Sequence, residues 1–238
     1  MRLLVTRPET DAAQQAVELA ARGHQVVLAP LLQIEIAQPP LDLENVQAVI
    51  VTSRNALRAL ERHPQKDALL QLPVFAVGEA TARAANDMGF REIAVGPGNG
   101  AGLAEVIRDG AEPLNGALLH LSGEDLAFDL ASALPDYELR RAVMYRAIPA
   151  GELPGKIPQL LREGELDGAI LMSPRTAATF VSLLRRHDLL EPGARLICYC
   201  LSKAVAEAAS PLGADLRVPG KPREEDILAL IDAEAASS

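Results

Sequence analysis

The residues with the most chemistry to offer stand where short apolar runs give way to helical patterns. They are Thr6-Arg7-Pro8, Ser53-Arg54-Asn55, Gly78-Glu79-Ala80-Thr81, Ser122-Gly123, Ser173-Pro174-Arg175 and Ser202-Lys203. Hydroxyls, exposed amides and a few cations in such corners suit anion binding. A helix N-terminus presents N–H groups and partial positive charge, worth roughly 0.3–1 kcal/mol to an anion, and several together hold a multiply charged ligand. Ser and Thr at helix starts are equally ordinary N-caps, so each corner alone has two readings. The recurrence of the set in both halves of the chain favours a site. Tyr145 closes another apolar run and also has two readings, a core ring with a wet tip or a hydroxyl donor in a cleft.

Other chemistries lack their signatures. No G-x-S-x-G elbow, Cys–His arrangement, paired-histidine metal motif, Walker lysine or G-x-G-x-x-G fingerprint is present, and Gly96-Pro-Gly-Asn-Gly100 reads as a loop without phosphate. His24, His63, His120 and His187 show no ligand spacing, so no metal is expected. Cys198 and Cys200 are two apart on an apolar run, with both thiols on one face and Tyr199 opposite, as buried core thiols in a reducing compartment. The formal net charge of −9 and the absence of a basic stripe argue against nucleic acid. An anionic small molecule would be held by local features. With no secretory signal pattern and no run near the ~20 apolar residues of a span, the chain is expected in the cytoplasm, off the membrane.

The elements that must position these corners alternate. Strands are predicted at 3–6, 25–29, 48–52, 74–77, 92–95, 117–121, 139–145, 168–172, 195–201 and 215–218, and helices at 10–21, 55–61, 79–87, 102–109, 176–186, 203–209 and 224–233. Gly23, Gly89 and Gly213 fall at left-handed helix C-caps. Of the 238 residues 49% are hydrophobic and only 3% aromatic, which gives aliphatic cores between helices and parallel sheets. Residues 77–89 lie without a gap on 201–213, 48–53 match 168–173, and 3–7 and 118–122 open equivalent units, so the chain is read as duplicated. Residues 34–40 and 146–151 are extended, proline-bearing and equivalently placed. The expected fold is therefore α/β, with two similar domains, each a mostly parallel sheet flanked by helices. A two-stranded linker would join them, and the site would lie in the cleft. Residues 1–33 plus 152–238 form one domain, discontinuous and flavodoxin-like, and 41–145 form the inserted other.

In order along nearly the whole chain, Leu4-Val-Thr-Arg-Pro8, Val51-Thr-Ser-Arg-Asn-Ala56, Ala76-Val-Gly-Glu-Ala-Thr-Ala82, Val143-Met-Tyr145, Met172-Ser-Pro174 and Ser202-Lys-Ala-Val-Ala206 resemble the uroporphyrinogen-III synthases. The resemblance implies cyclisation of hydroxymethylbilane, a linear tetrapyrrole with eight carboxylates, with loss of water, inversion of the last ring and no cofactor. It implies a monomer in transient contact with the preceding pathway enzyme. It makes Tyr145 the tyrosine that assists departure of the hydroxyl. It puts Arg7, Ser53, Asn55, Gly78, Glu79, Ala80, Thr81, Ser122, Gly123, Ser173, Pro174, Arg175, Ser202 and Lys203 around the substrate. Three positions depart from the family pattern. Ala127 stands where an arginine is frequent, and Ser202 and Val205 stand where Gly and Thr are frequent, leaving Lys203 and Arg175 as substitutes. The alternatives are a two-domain anion-binding or sensor module, and a catalytically weak homologue.

Overall fold

The structure is a computed structural model and describes residues 1–236. In chain order its first elements are β1 (Arg2–Val5), α1 (Glu9–Ala21), β2 (Gln25–Leu28), β3 (Leu32–Ile36), β4 (Val46–Val51), α2 (Arg54–Glu61), α3 (Lys66–Leu69), β5 (Val74–Ala76), α4 (Glu79–Met88), β6 (Ile93–Val95) and α5 (Gly100–Gly110). There follow β7 (Ala117–Gly123), α6 (Leu130–Ala133), β8 (Leu139–Pro149), α7 (Ile157–Glu163), β9 (Gly168–Leu171), α8 (Pro174–Arg186), α9 (Leu190–Ala194), β10 (Ile197–Cys200), α10 (Lys203–Ala209), β11 (Asp215–Arg217) and α11 (Glu224–Ala235). Two compact units result, one from Met1–Gln33 with the chain from Ile148 on, the other from Ile34–Ala147.

The first unit holds a five-stranded sheet ordered β2-β1-β9-β10-β11, parallel throughout. Its strands are short apolar runs because both faces are covered. Leu4, Ala169, Leu171, Cys198 and Cys200 face a cluster with Phe180 and Leu184 of α8. Leu3, Val5, Ile170 and Tyr199 face Leu19 of α1 and Ile227 and Ile231 of α11. The cysteines thus share a face, with Tyr199 opposite. Both thiols are free and buried, and desolvation pushes them up to about 12 and about 11, so they are inert at neutral pH.

The second unit holds a six-stranded sheet ordered β3-β8-β7-β4-β5-β6, with parallel pairing from β8 through β6. Helices α2 and α4 cover one face through Leu57, Leu60, Ala82 and Ala85. The other face is covered through Leu103 and Ile107 of α5. Apart from the edge strand β3, the order β8-β7-β4-β5-β6 repeats β2-β1-β9-β10-β11. The sequence blocks matched as duplicates occupy equivalent strands and corners in these two orders.

Two expectations are adjusted. The extended stretch at 34–40 begins inside a strand absent from the predicted set, because β3 runs from Leu32 to Ile36 and pairs with β8. The strand predicted to stop at Tyr145 runs on to Pro149, a proline being tolerated at a strand terminus where no ladder donor is needed. Gly23, Gly89 and Gly213 adopt φ of 84°, 112° and 74°, the left-handed values expected of them.

Candidate functional site

In each unit the strand order reverses between two neighbouring strands, β1 and β9 in the first and β7 and β4 in the second. Loops leaving the carboxyl ends of such a pair diverge and open a crevice, the usual place for a ligand in this architecture. The predicted corner residues follow these strands or their neighbours. Arg7 follows β1, Ser173, Pro174 and Arg175 follow β9, and Ser202 and Lys203 follow β10. In the second unit Ser53 and Asn55 follow β4, and Gly78, Glu79, Ala80 and Thr81 follow β5. Ser122 and Gly123 end β7, and Tyr145 lies on β8.

Their surroundings separate them. Arg7 is only 8% exposed, and its guanidinium pairs with Glu224, with Asp11 at 4.0 Å, so its charge is matched within its own unit. Thr6 Oγ1 donates to the Ile170 carbonyl at 2.6 Å and ties β1 to β9. The Ser53 hydroxyl caps α2 by accepting from the Asn55 amide at 3.1 Å, and the Asn55 side chain accepts from Arg58 at 2.7 Å. The Ser173 hydroxyl caps α8 through the Thr176 amide at 3.1 Å and meets the Thr176 hydroxyl at 2.8 Å. Pro174 occupies the first turn, where its missing N–H costs nothing. Ser202 sits at the N-cap of α10 but makes no capping bond. Lys203 is exposed and Val205 is buried in the core.

Around Gly78 the packing is close. A Cβ there would stand 3.0 Å from the Gly98 Cα, because the Gly-rich loop folds back along β5. Gly96 N–H donates to Ala76 O at 2.8 Å and Gly98 N–H to Val77 O at 2.7 Å, and Asn99 caps α5. The loop therefore braces the corner. Glu79 and Ala80 are exposed, and Thr81 is buried.

The corner after β7 is the most constructed. Tyr145 stands opposite Gly123 in the register, where the pairing of β7 and β8 shifts. A Cβ on Gly123 would lie 2.7 Å from the Tyr145 Cζ and 2.9 Å from its hydroxyl, so the phenol rests directly on glycine backbone. The Tyr145 ring is half-buried against the core cluster that α2 and α4 cover, and its hydroxyl has no hydrogen-bond partner among the described residues. The ring thus packs against the core of its unit, while the phenol makes no hydrogen bond to any described residue.

Three further residues, His120, Thr52 and Arg141, were not singled out from the sequence and complete this corner. His120 is 2% exposed and shares a hydrogen bond of 3.1 Å with Thr52 at the end of β4. Desolvation, aided by the Arg141 charge, pushes its imidazole down to about 4, so it is neutral at neutral pH. Arg141 on β8 donates to the Ser122 hydroxyl at 2.9 Å, to Gly123 O at 2.7 Å and to Glu124 O. The signal was the alternation His120-Leu-Ser122 inside an apolar strand, which puts both polar side chains on one face. Ala127 lies on the exposed loop beyond the corner. Among the described residues no group of three or more His, Cys, Asp or Glu could hold a metal ion.

A cavity of about 510 Å³ lies elsewhere. Its lining includes Met1, Asp167 and Ile197, at the amino ends of β1, β9 and β10. The chemistry-bearing residues sit at the opposite ends of these strands.

The family model described as uroporphyrinogen-III synthase HemD matches residues 13–229. The chain is similar to the crystal structure of uroporphyrinogen-III synthetase from Helicobacter pylori, at 20% identity and TM-score 0.68, over 98% of this chain and 100% of that one. It is similar to a mutant uroporphyrinogen III synthase from Thermus thermophilus, at 18% identity and TM-score 0.64, over 100% and 98%. At such identities these likenesses show the fold. No curated protein matches the chain.

Proposed function

Because the chain belongs to the uroporphyrinogen-III synthase HemD family, we propose that it closes hydroxymethylbilane to uroporphyrinogen III. The observation that carries this reading is the Tyr145 phenol, seated on Gly123 beside the β7–β4 reversal without an internal hydrogen-bond partner among the described residues. A hydrogen bond from this phenol to the substrate hydroxyl polarises the C–O bond. The bond breaks with its electrons on oxygen, which leaves as water with one proton, while the adjacent pyrrole nitrogen donates its lone pair to the exposed carbon. The terminal ring attacks through the carbon that already carries its methylene bridge, and the bond from that carbon to the old bridge then breaks. The bridge carbon so released, again stabilised by its pyrrole nitrogen, is closed by the ring's unsubstituted carbon, whose proton is lost to balance the one taken by the leaving water. Most of the advantage comes from holding the bilane folded so that the inverted closure wins, an effect of proximity more than of acid strength. The uncapped Ser202 hydroxyl, Lys203 and the helix-starting amides of α2 and α8 suit the substrate carboxylates.

Supplying hydroxymethylbilane to the purified protein and resolving the uroporphyrinogen isomers tests the reading. Isomer III is expected. Isomer I alone, the uncatalysed product, overturns it. A second reading, a catalytically weak homologue, draws on the matched charge of Arg7 and the apolar Val205. It predicts isomer III at a rate barely above spontaneous closure.

A further inference from the structure

We propose that Arg141 is a positioning residue for Tyr145, acting through the backbone on which the phenol rests. The β7–β8 ladder becomes irregular at its carboxyl end. Between Ser122 and Gly123 the register shifts, with Ser122 facing Val143 but Gly123 facing Tyr145. Beyond this shift Glu124 N–H still donates to Tyr145 O, at 2.9 Å. The Gly123 and Glu124 carbonyls at the end of the ladder need other donors. One guanidinium supplies them, and the Ser122 hydroxyl adds a bond to Gly123 O at 3.0 Å. A planar fork with five donors can span three acceptors in a fixed geometry, which an ammonium cannot. Glu124 is held a second time, by Arg146 at 3.0 Å.

This corner is the floor under the catalytic candidate. Because the Tyr145 ring has no room for even a methyl group between itself and Gly123, any displacement of the Gly123 backbone displaces the phenol. With no hydrogen bond from the Tyr145 hydroxyl to another described residue, the floor sets its position. The buried His120 beside Arg141 is neutral and adds no competing positive charge. Arg141, which carries no sequence signal of its own, thus has a specific task.

The rate readout rests on the proposed synthase activity, whereas a spectroscopic one does not. The full chain is labelled with 13Cζ-tyrosine, which gives three signals for its three tyrosines. In Arg141→Gln the Tyr145 signal is expected to shift or broaden while those of Tyr137 and Tyr199 stay in place, with circular dichroism unchanged. Arg141→Lys keeps the charge and guards against a misfolded glutamine variant, and it is expected to show the same Tyr145 change. An unchanged Tyr145 signal in both variants overturns the inference whether or not the protein is a synthase. With hydroxymethylbilane, kcat is expected to fall toward 10²-fold, the scale of a misplacement near 1 Å, at nearly constant KM. Arg141→Gln added to Tyr145→Phe is expected to cost nothing more. A raised KM with kcat retained would instead make Arg141 a substrate-carboxylate contact, and independent, multiplicative losses would also overturn the proposal.

Discussion

Gly123 is the residue on which the candidate site turns, and its role follows from what it lacks. A methyl group there would stand 2.7 Å from the Tyr145 ring, yet the clash falls on the far end of a side chain that can swing toward solvent. Gly123→Ala is therefore expected to leave the fold within about 1 kcal/mol of the parent, as substitutions free of cavities and buried charge usually do. It should depress turnover strongly, because the phenol is moved. Denaturant unfolding beside a rate assay checks this. A variant that unfolds readily would mean the ring cannot yield, and one that turns over normally would mean the phenol's position is unimportant. Ser122, Gly123 and Tyr145 were legible in the sequence as corner and strand-end residues. Arg141 and His120 were not, because their meaning lies in pairing across β7, β8 and β4, between segments far apart in sequence.

At the scale of elements, three serines that look alike in the sequence do different work. Each begins a helix after a parallel strand. The Ser53 and Ser173 hydroxyls accept from Asn55 and Thr176 amides and satisfy orphan donors of α2 and α8, whereas Ser202 makes no such bond at α10. Replacing Ser53 or Ser173 by alanine should cost about 1 kcal/mol of stability, as the loss of a cap does. Ser202→Ala should cost almost none and should appear as weaker binding of the anionic substrate. Thermal unfolding of the three variants with a KM measurement on each decides. A destabilised Ser202→Ala would return Ser202 to the caps. Sequence pattern located nearly every strand and long helix, since apolar runs of four to six residues and left-handed glycines are strong local signals. The edge strand β3 escaped it, having only Leu32 buried and two prolines close behind at Pro39 and Pro40.

On the scale of the whole molecule, the duplication is not two sequential domains, and the pairings say why. The amino-terminal half supplies β1 and β2 to one sheet and β4, β5 and β6 to the other, and the carboxyl-terminal half completes each with β9–β11 or β7–β8. The joints are the central pairings β1–β9, through Leu3, Leu4 and Val5, and β4–β7, through Val49, Ile50 and Val51. The sequence blocks disclosed the repeat, but parallel neighbours far apart along the chain leave no local trace of their pairing. A chain divided after Asn115, next to the 98% exposed Leu114, should therefore give halves 1–115 and 116–238 that do not fold alone. Each half would present the apolar edges of unpaired central strands to water. The fragment 32–149 keeps all six strands from β3 to β8 and both clusters packed on them. It is within the size at which a single domain folds independently and should melt cooperatively by itself. Circular dichroism melts of the three fragments test this. A cooperative transition in 1–115 alone would mean that the β1–β9 and β4–β7 pairings are dispensable, and a fragment 32–149 without one would mean that the second unit cannot stand by itself.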